Sequence, residues 1–172
     1  MKLPPEWRDL LELLCVERVR FLIVGAHALA AHGRPRATGD LDVLVDPTPQ
    51  NARRLGVVLA AFGYAAQARE AHRFAEPDRM ATLGHPPFRV DLLTSISGVT
   101  FAQAWKGRVR VKLGRRMVGV LGRRELIVNK RAARRPQDLA DLAVLAAMPP
   151  ARRASRPSNP APGAGRRRPR PR

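Results

Sequence analysis

The sequence predicts an α/β (α+β) fold: one small mixed β-sheet flanked by helices. Three observations carry that expectation. The chain has 172 residues, room for one core of ordinary size and not for two substantial ones. Hydrophobic residues make up 45% and charged residues 27%, a balance that supports a folded body. Along that body, helical spacing and short extended runs alternate.

Each element has its own signal. After Pro4-Pro5, residues Trp7, Leu10, Leu11 and Leu14 recur at helical spacing, with Arg18 as a further member of the face. The apolar run Phe21-Leu22-Ile23-Val24 then reads as a buried strand ending at Gly25. Ala26 to Ala31 is small and helix-favouring and is closed by Gly33 and Pro35, whereas Asp40 to Val45 alternates acid and aliphatic as a strand does. From Thr48 to Phe62 a helix presents Leu55, Val58, Leu59 and Phe62 on one face and stops at Gly63. Gly63 to Pro87 predicts one or two irregular strands, around Phe74 and Met80 to Leu83. Phe88 to Leu93 is a further strand and Val99 to Trp105 a short helix. Val109, Val111 and Leu113 alternate with Arg108, Arg110 and Lys112; Gly114 and a second run, Met117 to Leu121, complete a hairpin. Two helices follow, Arg123 to Arg134 and Pro136 to Met148, the second opening on a first-turn proline.

Residues 1–148 form the expected domain. Residues 149–172 hold seven Pro, eight Arg and no acid, and no aliphatic side chain larger than Ala, so they predict a disordered basic tail. The formal net charge is +18, but it is regional. Without the tail the body carries +10, and Lys106 to Arg135 alone carries 12 basic residues against Glu125. Such a concentration fits a polyanion-binding face and equally a solvated Arg-rich surface. The single Cys15 excludes an internal disulfide framework and a Cys-based zinc knuckle, and it points to a reducing cytoplasm. No apolar run approaches the roughly 18 residues of a spanning helix, and no membrane partner is expected.

The chemistry concentrates in Thr-Gly-Asp-Leu-Asp-Val-Leu-Val-Asp. Asp40 and Asp42, two apart on a strand, leave one face while Leu41, Val43 and Val45 enter the core. Adjacent carboxylates repel unless a cation, a shared proton or solvent relieves them, and an oxygen-rich site of this kind suits magnesium. Asp46, before Pro47, reads as a strand-end turn residue. Asp91, between Val90 and Leu92, is a third acid projecting from a buried strand. Three such acids could hold one or two divalent ions, which in two-metal phosphoryl chemistry sit about 3.5–4 Å apart. A solvated strand-edge cluster is the alternative. Val24-Gly25-Ala26 marks a strand-to-helix turn whose glycine lets backbone amides approach a phosphate.

Strand, Gly turn, short helix, an Asp-x-Asp strand and a third Asp resemble the nucleotidyltransferase superfamily of the DNA polymerase beta type. More narrowly, Phe21 to Leu145 looks like small bacterial nucleotidyltransferases related to the AbiEii-like toxins of toxin-antitoxin systems. Glu125 and Lys130 match that family's helix, and Asp138 and Asp141 its Asp-x-x-Asp. The turn departs from the pattern, having Gly25-Ala26 where the superfamily has Gly-Gly or Gly-Ser.

The resemblance implies a minimal nucleotidyltransferase fold and transfer of a nucleoside monophosphate from an NTP to an RNA, tRNA included, or a protein, with Mg2+ as cofactor. A cognate toxin-antitoxin partner belongs to the same expectation. Asp40, Asp42 and Asp91 would bind the metal, Asp91 completing its site or activating the attacking group. Lys130 would contact nucleotide phosphates or the substrate, and Asp138 and Asp141, on one helix face, would orient Lys130 or a substrate hydroxyl. Gly25, Ala26, Arg36 and Thr38 join Lys130 and Asp141 in the nucleotide-binding set. An inter-helix salt bridge is the plain alternative for Lys130 and Asp138, and a Pro-containing turn for Arg36 and Thr38. Glu125 and Lys130, about 140° apart around a helix, are not expected to pair, and Glu125 reads equally as a first-turn acid. His27 reads as a helix-start residue. The rival to catalysis is an inactive nucleotidyltransferase-fold module that binds nucleic acid or regulates.

Overall fold

The computed structural model describes residues 3–147, so the expected tail at 149–172 lies outside them. Helix α1 (Pro5–Val16) leads into β1 (Phe21–Ile23), α2 (Gly25–Ala31), β2 (Asp40–Val45) and α3 (Pro49–Ala61). Next come α4 (Ala65–Arg69), one 3-10 helix (Ala71–Ala75), β3 (Met80–Leu83), β4 (Arg89–Leu93) and α5 (Phe101–Gly107). The hairpin β5 (Val109–Leu113) and β6 (Arg116–Val120) and the helices α6 (Arg123–Ala133) and α7 (Pro136–Ala146) complete the order. The six strands form one mixed sheet, β3-β4-β2-β1-β6-β5. The expected α/β architecture with a helix-flanked sheet is what forms.

Two pairings place the acids. β1 and β2 run antiparallel, Phe21 facing Val45 and Ile23 facing Val43, while β2 and β4 run parallel with Asp42 opposite Asp91 and Asp40 opposite Arg89. Side chains alternate along each strand, so Asp40, Asp42, Arg89 and Asp91 share one face and Leu41, Val43, Val90 and Leu92 the other. The latter four join a single buried cluster with Trp7, Leu10, Leu11 and Leu14 of α1 and Leu55, Val58 and Leu59 of α3. Burying such a Leu or Val side chain is worth about 1.5–3 kcal/mol, so a slip of one residue between β2 and β4 would cost core on both strands.

Asn51, buried in the first turn of α3, ties the sheet together. Its side chain accepts from the Arg20 amide at 2.7 Å and donates to the carbonyls of Arg20 at 3.1 Å and Asp46 at 3.0 Å, joining the start of β1 to the end of β2. Asp46 does lie just past β2, and it also pairs with Arg20 at 2.7 Å.

In the stretch from Gly63 to Pro87 the strand expected at Met80 to Leu83 forms as β3, and the structure corrects the one expected around Phe74. Phe74 lies in the 3-10 helix, not a strand, and is buried in the core cluster that α3 also joins. The alanine-rich run around it favours tight helical turns over an extended chain, and Phe74 supplies the one large anchor. Elsewhere the shifts are small: α5 starts at Phe101 because Thr100 and Gln103 form a capping box, and Arg18, in left-handed backbone, lies beyond the end of α1. Gly114 has φ +57° at the first central position of the two-residue hairpin turn, where a primed turn needs glycine. Among the described residues no helix is long and apolar enough to cross a membrane.

Candidate active site

The acidic face of β2 and β4 forms one wall of a cavity of about 610 Å3. The turn Val24-Gly25-Ala26 forms another, and α6 and α7 contribute Lys130 and Asp138. Gly25 and Ala26 therefore stand beside Asp40, Asp42 and Asp91, as the sequence predicts.

Gly25 is held at φ +61°, and its backbone lies against the Asp42 carboxylate. A methyl group at this position would sit 1.9 Å from Asp42 Oδ2, a contact no side chain tolerates. The Val24 amide donates to the Asp42 carbonyl at 3.0 Å, which locks the turn onto β2. Glycine is thus required twice over, by the left-handed conformation and by the approach of a carboxylate.

The three acids have different surroundings. Burial, and then the charges of Asp40 and Asp91, push Asp42 up to about 6. Among the described residues no hydrogen bond or ion pair reaches its carboxylate. Burial also works against ionisation of Asp40, but a hydrogen bond from Thr38 and the Arg89 guanidinium outweigh it, and its pKa falls below the usual carboxylate value. Asp91, 5% exposed, accepts from the Thr82 hydroxyl at 2.8 Å on the neighbouring β3.

One nitrogen joins two of these acids. Arg89 Nη2 lies 2.5 Å from Asp40 Oδ2 and 3.1 Å from Asp91 Oδ2. The two carboxylates accordingly face a common point, but a guanidinium stands at it, and no three His, Cys, Asp or Glu side chains among the described residues close into a ligand cluster.

The last two helices hold a second charged group. Lys130, 3% exposed, donates to Asp141 Oδ2 at 2.5 Å and Asp138 Oδ1 at 3.0 Å, and Arg36 pairs with Asp141 at 3.5 Å. Lys130 is therefore a buried clamp between α6 and α7 that also lines the cavity, and Asp138 and Asp141 do orient it. Thr38 turns onto Asp40 and Arg36 onto Asp141, while Arg36, Arg89 and Arg135 supply positive charge to the cavity wall.

Other residues stand apart. Glu125, in the first turn of α6, packs against Gly107 and Gly122 beside a separate cavity and does not meet Lys130. His27 packs edge-on against Trp7 with ring centroids 5.2 Å apart, and burial holds its pKa below the usual imidazole value. Of the basic residues that alternate with the aliphatic ones of β5, Arg108 lies 4.0 Å over the Trp105 ring, whereas Arg110 and Lys112 are exposed.

Arg89, Arg135 and Thr82 were not legible as members of this site. A period of two places Arg89 on the face of Asp91, which is a signal for its position but not for its partner on β2. Thr82 lies on the strand expected at Met80 to Leu83, but no sequence signal marks its contact with Asp91.

No protein-family model and no curated protein matches the sequence. Among solved structures the fold is similar to that of a "putative nucleotidyltransferase" from Thermotoga maritima, with a TM-score of 0.51 and 16% identity over 84% of this chain and 93% of that one. The likeness is one of fold.

Proposed function

We propose that the chain is a magnesium-dependent nucleotidyltransferase that moves a nucleoside monophosphate from an NTP to a hydroxyl or phosphate acceptor, with pyrophosphate leaving. One observation carries the reading: Asp42 and Asp91 are opposed in register, with Asp40 two residues along on the same face, in a cavity that also presents Arg36, Arg89 and Arg135. Nucleotidyl transfer asks a protein mainly for positioning and charge neutralisation, and this wall provides both signs of charge.

The donor set fits magnesium. All three candidates are carboxylates, the hard oxygen ligands this ion takes. Asp42 in particular is half-buried beside two like charges with no hydrogen-bond donor of its own among the described residues, which favours a cation beside it. When bound, magnesium supplies neutralisation of the triphosphate and a template for in-line displacement. Asp40, Asp42 and Asp91 would hold it, and the Gly25-Ala26 backbone, which lines the same cavity, would meet phosphate oxygens. Arg36 and Arg135 balance phosphate charge at the rim. Lys130, clamped by Asp138 and Asp141, sets the spacing of α6 and α7 and so the position of the wall they form.

RNA, tRNA included, is the acceptor best supported, since Arg110 and Lys112 project from an exposed strand and would contact a phosphate backbone. A protein acceptor is the alternative. The narrower AbiEii-like resemblance adds a cognate partner protein. The rival, an inactive module of the same fold, is favoured by Ala26, which lacks the hydroxyl that a serine would offer a phosphate.

Incubation of the full chain with each labelled NTP, Mg2+ and total RNA or protein tests the reading, with Asp42→Asn alongside. Label transfer that disappears with Asp42→Asn is expected. Transfer indifferent to that substitution removes the site, and no transfer with any NTP supports the inactive module.

A further inference from the structure

We infer that Arg89 is a built-in counter-cation: it occupies the shared point between Asp40 and Asp91 and must swing away before a divalent ion can bridge those carboxylates. This rests on the metal-dependent reading above and adds a residue to it that neither the motifs nor the comparisons assign.

The geometry is specific. A single Arg89 nitrogen reaches both acids, at 2.5 and 3.1 Å, from the strand position opposite Asp40 and two before Asp91. Both Arg89 and Asp91 therefore leave β4 on the same face, and the guanidinium needs no backbone movement to meet either acid. It is not buried for good: 38% of the Arg89 side chain is exposed, against 6% for Asp91, and the residue lines the cavity. Its Nε is buried without a hydrogen-bond partner among the described residues, so the guanidinium makes only part of the contacts it can make. A guanidinium that gives up two carboxylate oxygens can regain phosphate oxygens, because its N–H donors serve both anions.

The consequence is an ordered exchange. Without nucleotide, Arg89 neutralises Asp40 and Asp91 and competes with the ion. A triphosphate arriving in the cavity offers Arg89 another anion, which frees the carboxylates for the metal. Ion and nucleotide then assist each other's binding, as linkage requires.

Binding of Mn2+ alone to the full chain, followed by electron paramagnetic resonance without nucleotide, tests this. Removing the competing charge in Arg89→Gln is expected to tighten Mn2+ binding by about tenfold, the strength of a partly buried guanidinium–carboxylate pair. Arg89→Lys, which keeps a charge on a shorter head group, is expected to fall between the two and covers the case in which the glutamine variant folds poorly. Measurable binding that is equal in all three proteins, or weaker in Arg89→Gln, overturns the role given to Arg89 and leaves the metal site standing. Absence of Mn2+ binding in every protein at millimolar ion overturns the metal-dependent reading, and this inference with it.

Discussion

Replacing Gly25 by alanine sets a methyl group against the Asp42 carboxylate. Two costs follow from the geometry. Holding an L-residue near φ +61° costs about 1–2 kcal/mol, which for a body of this size lowers Tm by roughly 3–8 °C. The new Cβ, 1.9 Å from Asp42 Oδ2 and 2.8 Å from its Cγ, also forces the carboxylate to retreat. Carbon–oxygen contacts close at over 3 Å, so the displacement is on the order of 1 Å, enough to lower a transfer rate by about 100-fold. Gly39→Ala is the control, because it is a neighbouring glycine with open space around its Cβ and no positive φ. Thermal melting and label transfer, read on both variants, separate the effects: Gly25→Ala loses both stability and activity, and Gly39→Ala keeps both within a small margin. Wild-type transfer by Gly25→Ala refutes the packing of the turn on Asp42 as the reason for glycine. Equal damage in Gly39→Ala refutes it too, since loop stiffness would then be the cause.

Three further substitutions test other parts of the structure. Asp42→Asn abolishes transfer yet stabilises the metal-free chain: with a folded pKa of about 6 against 3.8 ordinarily, the aspartate costs about 2–3 kcal/mol above pH 6 and nothing below about pH 4. Melting from pH 4 to 8 should show that gain growing with pH, and a gain constant across the range counts against it. Lys130→Met strands Asp138 and Asp141 without their buried partner and should cost about 3–5 kcal/mol in denaturant unfolding, a loss that Lys130→Met with Asp141→Leu partly restores. Asn51→Ala leaves the Arg20 amide unpaired and takes one of two donors from each of the Arg20 and Asp46 carbonyls, and should cost about 1–3 kcal/mol; a change under about 0.5 kcal/mol means water replaces the side chain.

Legibility in the sequence follows the range of the forces involved. β1, β2 and β4 were readable because a buried strand writes its pattern locally, as a continuous apolar run or as acids alternating with Leu and Val. α3 was readable from Leu55, Val58 and Leu59, and the hairpin from Gly114 between two alternating runs. The stretch around Phe74 failed because one aromatic among alanines has no period, and its burial depends on α3, which lies earlier in the chain. The acids of the site were found one by one, whereas their electrical states were not. That Asp40 is held below its usual pKa while Asp42 is pushed up depends on Arg89 and Thr38 reaching one carboxylate and not the other, a matter of ångströms that strand spacing does not contain.

The parallel pairing of β2 with β4 joins these observations. It is the one contact that brings Asp42 and Asp91 together, and it also aligns Leu41, Val43, Val90 and Leu92 on the core face. Any one-residue slip would expose those four side chains, so hydrophobic burial enforces the register on which the polar wall depends. β3 secures β4 from its other side, and its Thr82 fixes the Asp91 carboxylate. The sheet thus accepts an unfavourable concentration of negative charge because its apolar face leaves no other arrangement, and part of the imbalance is left at Asp42, whose pKa is raised for that reason.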